Sequence, residues 1–179
     1  MNFTQNKDVK IILVGYMGSG KTTLGKLLSK QLNINFLDLD DHIESLEGTT
    51  ISQLFKEKGE VYFRKKEIAY LKEILSSKES LVLSTGGGTP CFGTNMDTIN
   101  NATPNTYYIK VSLKELVSRL SLEKTQRPMI ARFEKEELAE FIGKHLFERS
   151  YYYNKATHNI VADGKSPEEI VTEIISLSI

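Results

Sequence analysis

The sequence predicts an α/β protein built on a doubly wound, five-stranded parallel sheet flanked by helices. Five apolar runs of strand length alternate with longer segments of helical periodicity. These runs are rich in Val, Ile and Leu, as is typical of strands that are buried on both faces. Strands that alternate with helices pair in parallel, and a doubly wound sheet with helices on both faces follows.

The elements follow one another in a regular order along the chain, without internal repeats or a linker. The predicted strands are 10–15, 35–39, 80–85, 105–111 and 158–163. The predicted helices are 22–32, a helical block within about 40–77, 112–120, about 134–152 and 166–177. Three helix starts have the spacing of a capping box, namely Thr50 with Gln53, Ser112 with Glu115, and Ser166 with Glu169.

Composition and charge fit a single domain covering residues 1–179. Hydrophobic residues make up 40% of the chain and charged residues 26%, which is ordinary for a globular domain. The net charge is zero, so no broad electrostatic attraction to nucleic acid or to an acidic membrane is expected. The N-terminal residues MNFTQNKDVK lack a signal-peptide pattern, which predicts a cytoplasmic protein. A monomer is the expected state.

The segment GYMGSGKT, residues 15–22, matches the phosphate-binding loop pattern of Gly, four residues, Gly, Lys and Ser/Thr. It follows a predicted strand and opens a predicted helix, where backbone N–H groups form an anion site. Lys21 is expected to reach the β- and γ-phosphates of a nucleotide, and the Thr22 hydroxyl to ligate Mg²⁺. The expected nucleotide contacts in this loop are Gly18, Ser19, Gly20, Lys21, Thr22 and Thr23.

Carboxylates gather at the end of the second predicted strand, in FLDLDDHIE (36–44). Side chains alternate along a strand, so Asp38 and Asp40 are expected to share one face and to point into the cleft beside the phosphate loop. Asp41 lies three residues before Glu44, which is the spacing of a helix cap. The third strand ends in Ser84 and Thr85 instead of an acid, so the acid near Mg²⁺ is expected from the second strand.

A phosphate loop also occurs in regulatory GTPases and ATPase motors. GTPase switches carry an Asn-Lys-x-Asp segment that reads guanine, and the sequence contains none. ATPase motors normally place an acid after the third strand, where this chain has glycines. A small-molecule kinase is therefore favoured.

The ordered set of motifs resembles shikimate kinase. The resemblance rests on GYMGSGKTTLGKLL, FLDLDDHIE, GEVYFRKKE, STGGGTP, RPMI and ERSYYY, which follow one another in the family's order over nearly the whole chain. It implies a fold like that of the phosphate-loop nucleoside monophosphate kinases. It also implies transfer of the ATP γ-phosphate to the 3-hydroxyl of shikimate, with Mg²⁺ as cofactor, in the biosynthesis of chorismate and the aromatic amino acids.

By this resemblance, Asp38 holds the Mg²⁺ shell, and Asp40 binds substrate hydroxyls and accepts the reacting proton. Arg64 and Arg149 would bind the shikimate carboxylate, because a planar guanidinium pairs with a carboxylate through two hydrogen bonds. Simpler roles for Arg64 are ion pairs with Glu60 or Glu67. Gly86, Gly87 and Gly88 would form a wall against the substrate ring, where a side chain would occupy the space of the ring.

The resemblance also predicts a lid over about 121–134. This segment is polar and charged, and its Arg127 would add positive charge at the transferred phosphate when the lid closes. Arg119 resembles the family's adenine-stacking residue, and Lys165 stands where relatives carry an arginine near the adenine. The alternatives are another kinase of the same fold, for gluconate or a nucleoside monophosphate, and a catalytically silent nucleotide-binding module.

Overall fold

The computed structural model describes residues 9–122, 130, 133 and 135–178. Its centre is a five-stranded sheet of order β2-β3-β1-β4-β5, in which every neighbouring pair is parallel. The strands are β1 (Lys10–Val14), β2 (Asn35–Asp38), β3 (Leu81–Ser84), β4 (Thr106–Lys110) and β5 (His158–Val161). The predicted fold class and all five predicted strands are confirmed, with ends that differ by at most two residues.

Helices connect and cover the strands. They are α1 (Lys21–Leu32), α2 (Leu39–Glu47), α3 (Ile51–Ser76), α4 (Asn95–Ala102), α5 (Leu113–Leu122), α6 (Lys135–Tyr153) and α7 (Pro167–Leu177). Complete capping boxes begin α3 at Thr50 and α7 at Ser166, as predicted. At α5 the backbone half is present, since Glu115 N donates to Ser112 Oγ, but the Glu115 carboxylate pairs with Arg119 instead.

Between β3 and β4, where no element was predicted, the structure has a short 3₁₀ helix (Thr89–Cys91) and α4. The α4 segment NMDTINNA is short and rich in Asn and Thr, which favour turns and caps over helix interiors. Met96 and Ile99 are buried, and α4 packs against α3. Tertiary packing stabilises this helix, and local sequence gave too weak a signal to predict it.

The helical block predicted within about 40–77 consists of α2 and a kinked α3. The kink lies at Gly59, whose φ of 79° and ψ of 167° are non-helical. Glycine adopts this left-handed backbone without the steric penalty that a Cβ would bring. The second half of α3 carries Arg64, one of the predicted substrate-binding residues. Within the described part of the chain, no helix is both long and apolar enough to span a membrane.

A cluster around Glu47 holds the end of α2 against both halves of α3. The Glu47 carboxylate accepts hydrogen bonds from Tyr62 Oη and Tyr70 Oη, each at 2.7 Å. Lys66 Nζ lies 3.0 Å from Glu47 Oε1 and Lys58 Nζ lies 3.6 Å from Oε2. Hydrogen bonds from Tyr70, Tyr62 and Lys66 lower the pKa of Glu47 to about 2. The cluster thereby fixes α3 on both sides of its kink.

The core runs through the sheet, and its centre is β1, whose residues Ile11 to Val14 are fully buried. Strand register aligns three carboxyl ends, because Ser84 of β3 pairs with Leu13 of β1 on one side and with Asp38 of β2 on the other. Thr85 extends the contact by donating from its N and Oγ1 to Leu13 O. The segments that follow β1, β2 and β3 therefore meet at one edge of the sheet, where ligands of open α/β sheets bind.

Candidate active site

The segment between β1 and α1 has the geometry of a phosphate-binding loop. Gly18 and Gly20 have φ values of 77° and 92°, in the left-handed region that favours glycine. Gly20 is the N-cap of α1 and makes no side-chain cap hydrogen bond. The first turn of α1 thus presents backbone N–H groups and the positive end of the helix dipole at the loop, an arrangement that binds anions.

Lys21 is the first residue of α1, and its side chain folds back over the loop. Its Nζ donates to Gly15 O at 2.9 Å and to Tyr16 O at 3.0 Å, and the residue is 8% exposed. Its positive charge acts on Asp40 and partly opposes the rise in the pKa of that carboxyl. The ammonium group therefore lies between the anion-binding loop and the acidic end of β2.

Asp38 links the phosphate loop to α2. Its Oδ2 accepts a hydrogen bond from Thr22 Oγ1 at 2.8 Å, and its Oδ1 accepts one from Asp40 N at 3.1 Å. This second bond makes Asp38 the N-cap of α2, so the prediction that Asp41 caps the helix is wrong. The alternation argument also fails for Asp40, because β2 ends at Asp38 and Asp40 lies in the first helical turn. Both Asp38 and Asp40 still line the cleft, as predicted.

Asp40 is a half-buried carboxyl with an altered protonation equilibrium. Burial, followed by the negative charges of Asp38 and Glu67, raises its pKa to about 6. A carboxyl with a pKa near neutrality is both a hydrogen-bond acceptor for a hydroxyl and a base that can take up its proton. Asp40 therefore has the properties of an acid–base group.

The three consecutive glycines at 86–88 permit close approach rather than an unusual backbone. None has a φ in the left-handed region, and Gly88 is near φ −91°. A Cβ added at Gly86 or Gly88 would instead meet a charged side chain, and one added at Gly87 would first meet the backbone of the phosphate loop, with Met17 N at 3.3 Å. The contacts with charged side chains are Gly86 to Asp40 Oδ1 at 2.7 Å, Gly87 to Arg149 Nη1 at 3.8 Å, and Gly88 to Arg64 Nη2 at 3.0 Å. The turn brings the three predicted substrate-binding side chains together.

Arg64 reaches the glycine turn from α3 and is held on several sides. Its Nη1 donates to Glu67 Oε2 at 2.8 Å, its Nε lies 3.4 Å from Glu60 Oε1, and its Cζ lies 3.5 Å from the centre of the Phe92 ring. Glu67 is 1% exposed, and its other oxygen accepts a hydrogen bond from Thr89 Oγ1 at 2.6 Å. Both ion pairs considered from the sequence are present, and together they orient the guanidinium.

Arg149 approaches the same turn from α6. Its Cζ lies 5.7 Å from the centre of the Tyr16 ring. One helical turn further, the buried Tyr153 donates from Oη to Gly87 O at 2.5 Å and so anchors α6 to the glycine turn. Tyr153 and Thr89 were not identified from the sequence. The order of the residues gives no signal that a buried hydroxyl will contact a turn that is distant along the chain.

A cleft of about 360 Å³ lies beside the phosphate loop, and Arg64, Arg149 and Gly88 are not among its lining residues. Its walls are the loop and first turn of α1, the two acids of β2 and α2, Thr85 with the first two glycines of the turn, and Arg119. Arg119 Nε donates to Glu115 Oε1 at 2.8 Å, and its Nη1 lies 3.4 Å from Gly18 O. The guanidinium of Arg119 therefore borders the phosphate loop.

Lys165 also lies apart from the cleft walls, and part of the predicted site lies outside the described residues. Lys165 Nζ is 2.6 Å from Glu173 Oε2, in an ion pair between the start and the middle of the C-terminal segment. Arg127 lies outside the described residues, as does most of the predicted lid. Two residues of that segment are packed into the protein, since Ile130 is fully buried and the Phe133 ring lies 4.7 Å from that of Phe141. The segment predicted as a polar and charged lid therefore contains at least two apolar residues that pack against the protein.

Comparison with known proteins gives one consistent result. A sequence model of the family described as shikimate kinase matches residues 17–178. A shikimate kinase of Flavobacterium psychrophilum is 48% identical over 92% of this chain and 96% of its own length. The crystal structure of shikimate kinase from Bacteroides thetaiotaomicron is 40% identical, with a TM-score of 0.88 over 94% of this chain and 97% of that one. A shikimate kinase from Acinetobacter baumannii in complex with shikimate is 30% identical, with a TM-score of 0.84 over 95% and 92%.

Proposed function

This chain belongs to the shikimate kinase family, and we propose that it transfers the γ-phosphate of ATP to the 3-hydroxyl of shikimate. The observation that carries the proposal is the arrangement at the sheet edge. A phosphate loop lies beside a carboxyl of raised pKa and a glycine turn that two arginines approach. The product, shikimate 3-phosphate, would serve the biosynthesis of chorismate and the aromatic amino acids.

The nucleotide is assigned to the loop and the first turn of α1, at residues 18–23. When phosphates enter, Lys21 can exchange the carbonyls of Gly15 and Tyr16 for phosphate oxygens, because those carbonyls already hold its ammonium group in the loop. Arg119 is placed beside the same loop and is assigned to the nucleotide side. Lys165 remains a predicted nucleotide contact, and its partly exposed side chain pairs with Glu173 of α7.

Mg²⁺ fits the oxygen donors of Thr22 and Asp38, which lie 2.8 Å apart beside the loop. The described residues contain no group of three or more His, Cys, Asp and Glu side chains that could enclose a metal by themselves. Mg²⁺ in kinases is usually held by one or two protein oxygens together with the substrate phosphates and water. When bound, it would neutralise charge on the transferred phosphate.

Shikimate is assigned to the space above the glycine turn. Its carboxylate would pair with the guanidinium groups of Arg64 and Arg149, and its hydroxyls would face Asp40. Glu67 and Thr89 keep Arg64 in place before the substrate arrives, so little side-chain entropy is lost on binding. Gly86, Gly87 and Gly88 would form the wall against the ring, and without side chains they also let Asp40 and Arg64 approach the turn closely.

The proposed reaction needs positioning and charge more than covalent chemistry. Asp40 would orient the 3-hydroxyl and accept its proton, and Lys21 would stabilise negative charge on the phosphoryl oxygens. Arg127 is predicted to add a further positive charge, and its role stays a prediction. The cytoplasmic location, the monomeric state and the single-domain organisation also stay predictions.

The function is tested by measuring ADP formation with a panel of acceptors. We expect rapid turnover with shikimate and at least a hundredfold lower kcat/KM with gluconate or a nucleoside monophosphate, because gluconate is a flexible open chain and a nucleoside monophosphate has no carboxylate for the two arginines. Turnover with gluconate or a nucleoside monophosphate instead would assign the chain to a different kinase reaction. ADP binding without turnover of any acceptor would favour a silent binding module.

A further inference from the structure

A contact between the phosphate loop and α6 lies beside the site and has no role in the reaction described above. Tyr16, the second residue of the loop, is 1% exposed, and its hydroxyl lies 3.0 Å from Nδ1 of His145. The two residues are 129 positions apart in the sequence. The His145 ring also packs against Phe141 at 4.2 Å between ring centres, which fixes its orientation on the helix.

Tyr16 contacts both ends of the proposed reaction. Its backbone carbonyl accepts a hydrogen bond from Lys21 Nζ at 3.0 Å. Its ring centre lies 5.7 Å from Cζ of Arg149, which follows His145 by one helical turn. One residue therefore joins the lysine of the nucleotide side to the arginine assigned to the substrate carboxylate.

The Tyr16–His145 pair is a neutral, directional contact. Burial raises the pKa of Tyr16 to about 12, and burial together with the charge of Arg149 lowers the pKa of His145. Both groups are therefore uncharged near neutral pH, and hydrogen-bond geometry holds them together. A neutral contact of this kind adds no charge of its own beside Arg149.

We propose that Tyr16 and His145 are positioning residues that hold α6 against the phosphate loop and thereby fix the Arg149 guanidinium for the substrate carboxylate. The proposal rests on the proposed function, since it takes Arg149 as a carboxylate-binding group. It assigns to the loop a task beyond phosphate binding. The loop's tyrosine sets the distance between the nucleotide and substrate sites.

The test compares variants that remove or keep the hydrogen bond. Tyr16→Phe removes only the hydroxyl, His145→Leu removes the ring nitrogen, and His145→Asn keeps a polar atom close to the position of Nδ1. We expect Tyr16→Phe and His145→Leu each to weaken shikimate binding about three- to tenfold, the range for loss of one net hydrogen bond. ADP binding should change less than twofold, and His145→Asn should retain most of the shikimate affinity. Calorimetric titrations of the full chain with shikimate and with ADP measure both.

The double variant and Arg149→Ala separate the possible failures. The double variant, Tyr16→Phe with His145→Leu, should bind shikimate no more weakly than the weaker-binding single variant, because both substitutions remove the same hydrogen bond. Additive losses, or equal losses for shikimate and ADP, would overturn the positioning role. Unchanged shikimate affinity in Tyr16→Phe and His145→Leu, with a large loss in Arg149→Ala, would overturn this inference and leave the proposed function intact. Unchanged affinity in Arg149→Ala would remove the carboxylate role on which the inference depends.

Discussion

Asp38 and Asp40 are two residues apart, yet their surroundings predict that the two variants lose activity for different reasons. Asp38 pairs with the Thr22 hydroxyl at the proposed Mg²⁺ position, whereas Asp40 contacts the glycine turn. We expect the loss of activity in Asp38→Asn to be partly recovered by raising Mg²⁺ or supplying Mn²⁺, and the loss in Asp40→Asn to be insensitive to metal. Steady-state rates over a metal titration measure this. Recovery of Asp40→Asn alone would exchange the two roles.

The ionised Asp40 carboxylate should also lower the free energy of unfolding at neutral pH. The pKa of Asp40 is 3.8 in the unfolded chain and about 6 in the folded protein, so the native state binds the proton more tightly. Ionised Asp40 is therefore destabilising above pH 6, by roughly 3 kcal/mol at most, and this cost disappears below about pH 4, where the carboxyl is protonated in both states. Asp40→Asn should melt at a higher temperature than wild type at pH 7 and lose that advantage near pH 4.

Asp40→Asn should be more stable than wild type but less active. Wild-type kcat/KM should fall as the pH drops through about 6, because protonated Asp40 can no longer accept the hydroxyl proton. Asp40→Asn should be slow and should lack this acidic limb. A variant that kept the wild-type limb would exclude Asp40 as the base. An Asp40→Asn protein less stable than wild type at pH 7 would contradict the burial of an ionised carboxyl.

Among the elements, strands and the phosphate loop were predictable because their signals are local. Continuous apolar runs mark strands buried on both faces, and a glycine-rich turn before a helix marks the loop. The start of α2 was misplaced, because whether Asp38 or Asp41 caps the helix depends on where β2 stops pairing with β3. Helix α4 was missed because its stability comes from packing on α3, and packing has no local sequence signal.

The Glu47 cluster should make the packing of α2 against α3 sensitive to acid. Its carboxyl has a folded pKa of about 2, below the unfolded value of 4.5, so its contribution to stability is present above pH 4.5 and is lost as the pH falls towards 2. We expect Glu47→Gln to melt at a lower temperature than wild type at pH 7 and the difference to close near pH 2. The KM of Glu47→Gln for shikimate should rise, because α3 carries Arg64, which is assigned to the substrate carboxylate.

Glu173→Gln is the matched control for that experiment. It removes the carboxylate of α7 that pairs with Lys165. This ion pair is more exposed, and exposed pairs contribute little to stability. Thermal unfolding from pH 2 to 7 compares the two variants. Equal melting shifts in both, or a Glu47→Gln shift that persists at pH 2, would mean that the cluster does not fix α3 through its charge.

For the whole molecule, the sequence predicted which residues meet but not how they are held. Parallel strands bring the loop, the acids and the glycine turn to one edge, and this much follows from topology. The supporting contacts do not, because they join distant parts of the chain, such as Thr89 with Glu67 and Tyr16 with His145, which lie 22 and 129 positions apart. Buried hydroxyls take partners that only the packed fold selects.

Transfer of a phosphate from ATP to the 3-hydroxyl of shikimate is tested best by the structure of the product. Phosphorus–proton correlation NMR of a reaction with ATP, Mg²⁺ and shikimate locates the new ester. We predict a single phosphorus coupled to the proton on carbon 3, and no such signal from folded Lys21→Ala, which lacks the charge at the transferred phosphate. A phosphate on another hydroxyl, or inorganic phosphate alone, would exclude the proposed reaction, and undiminished product from Lys21→Ala would exclude the role of Lys21.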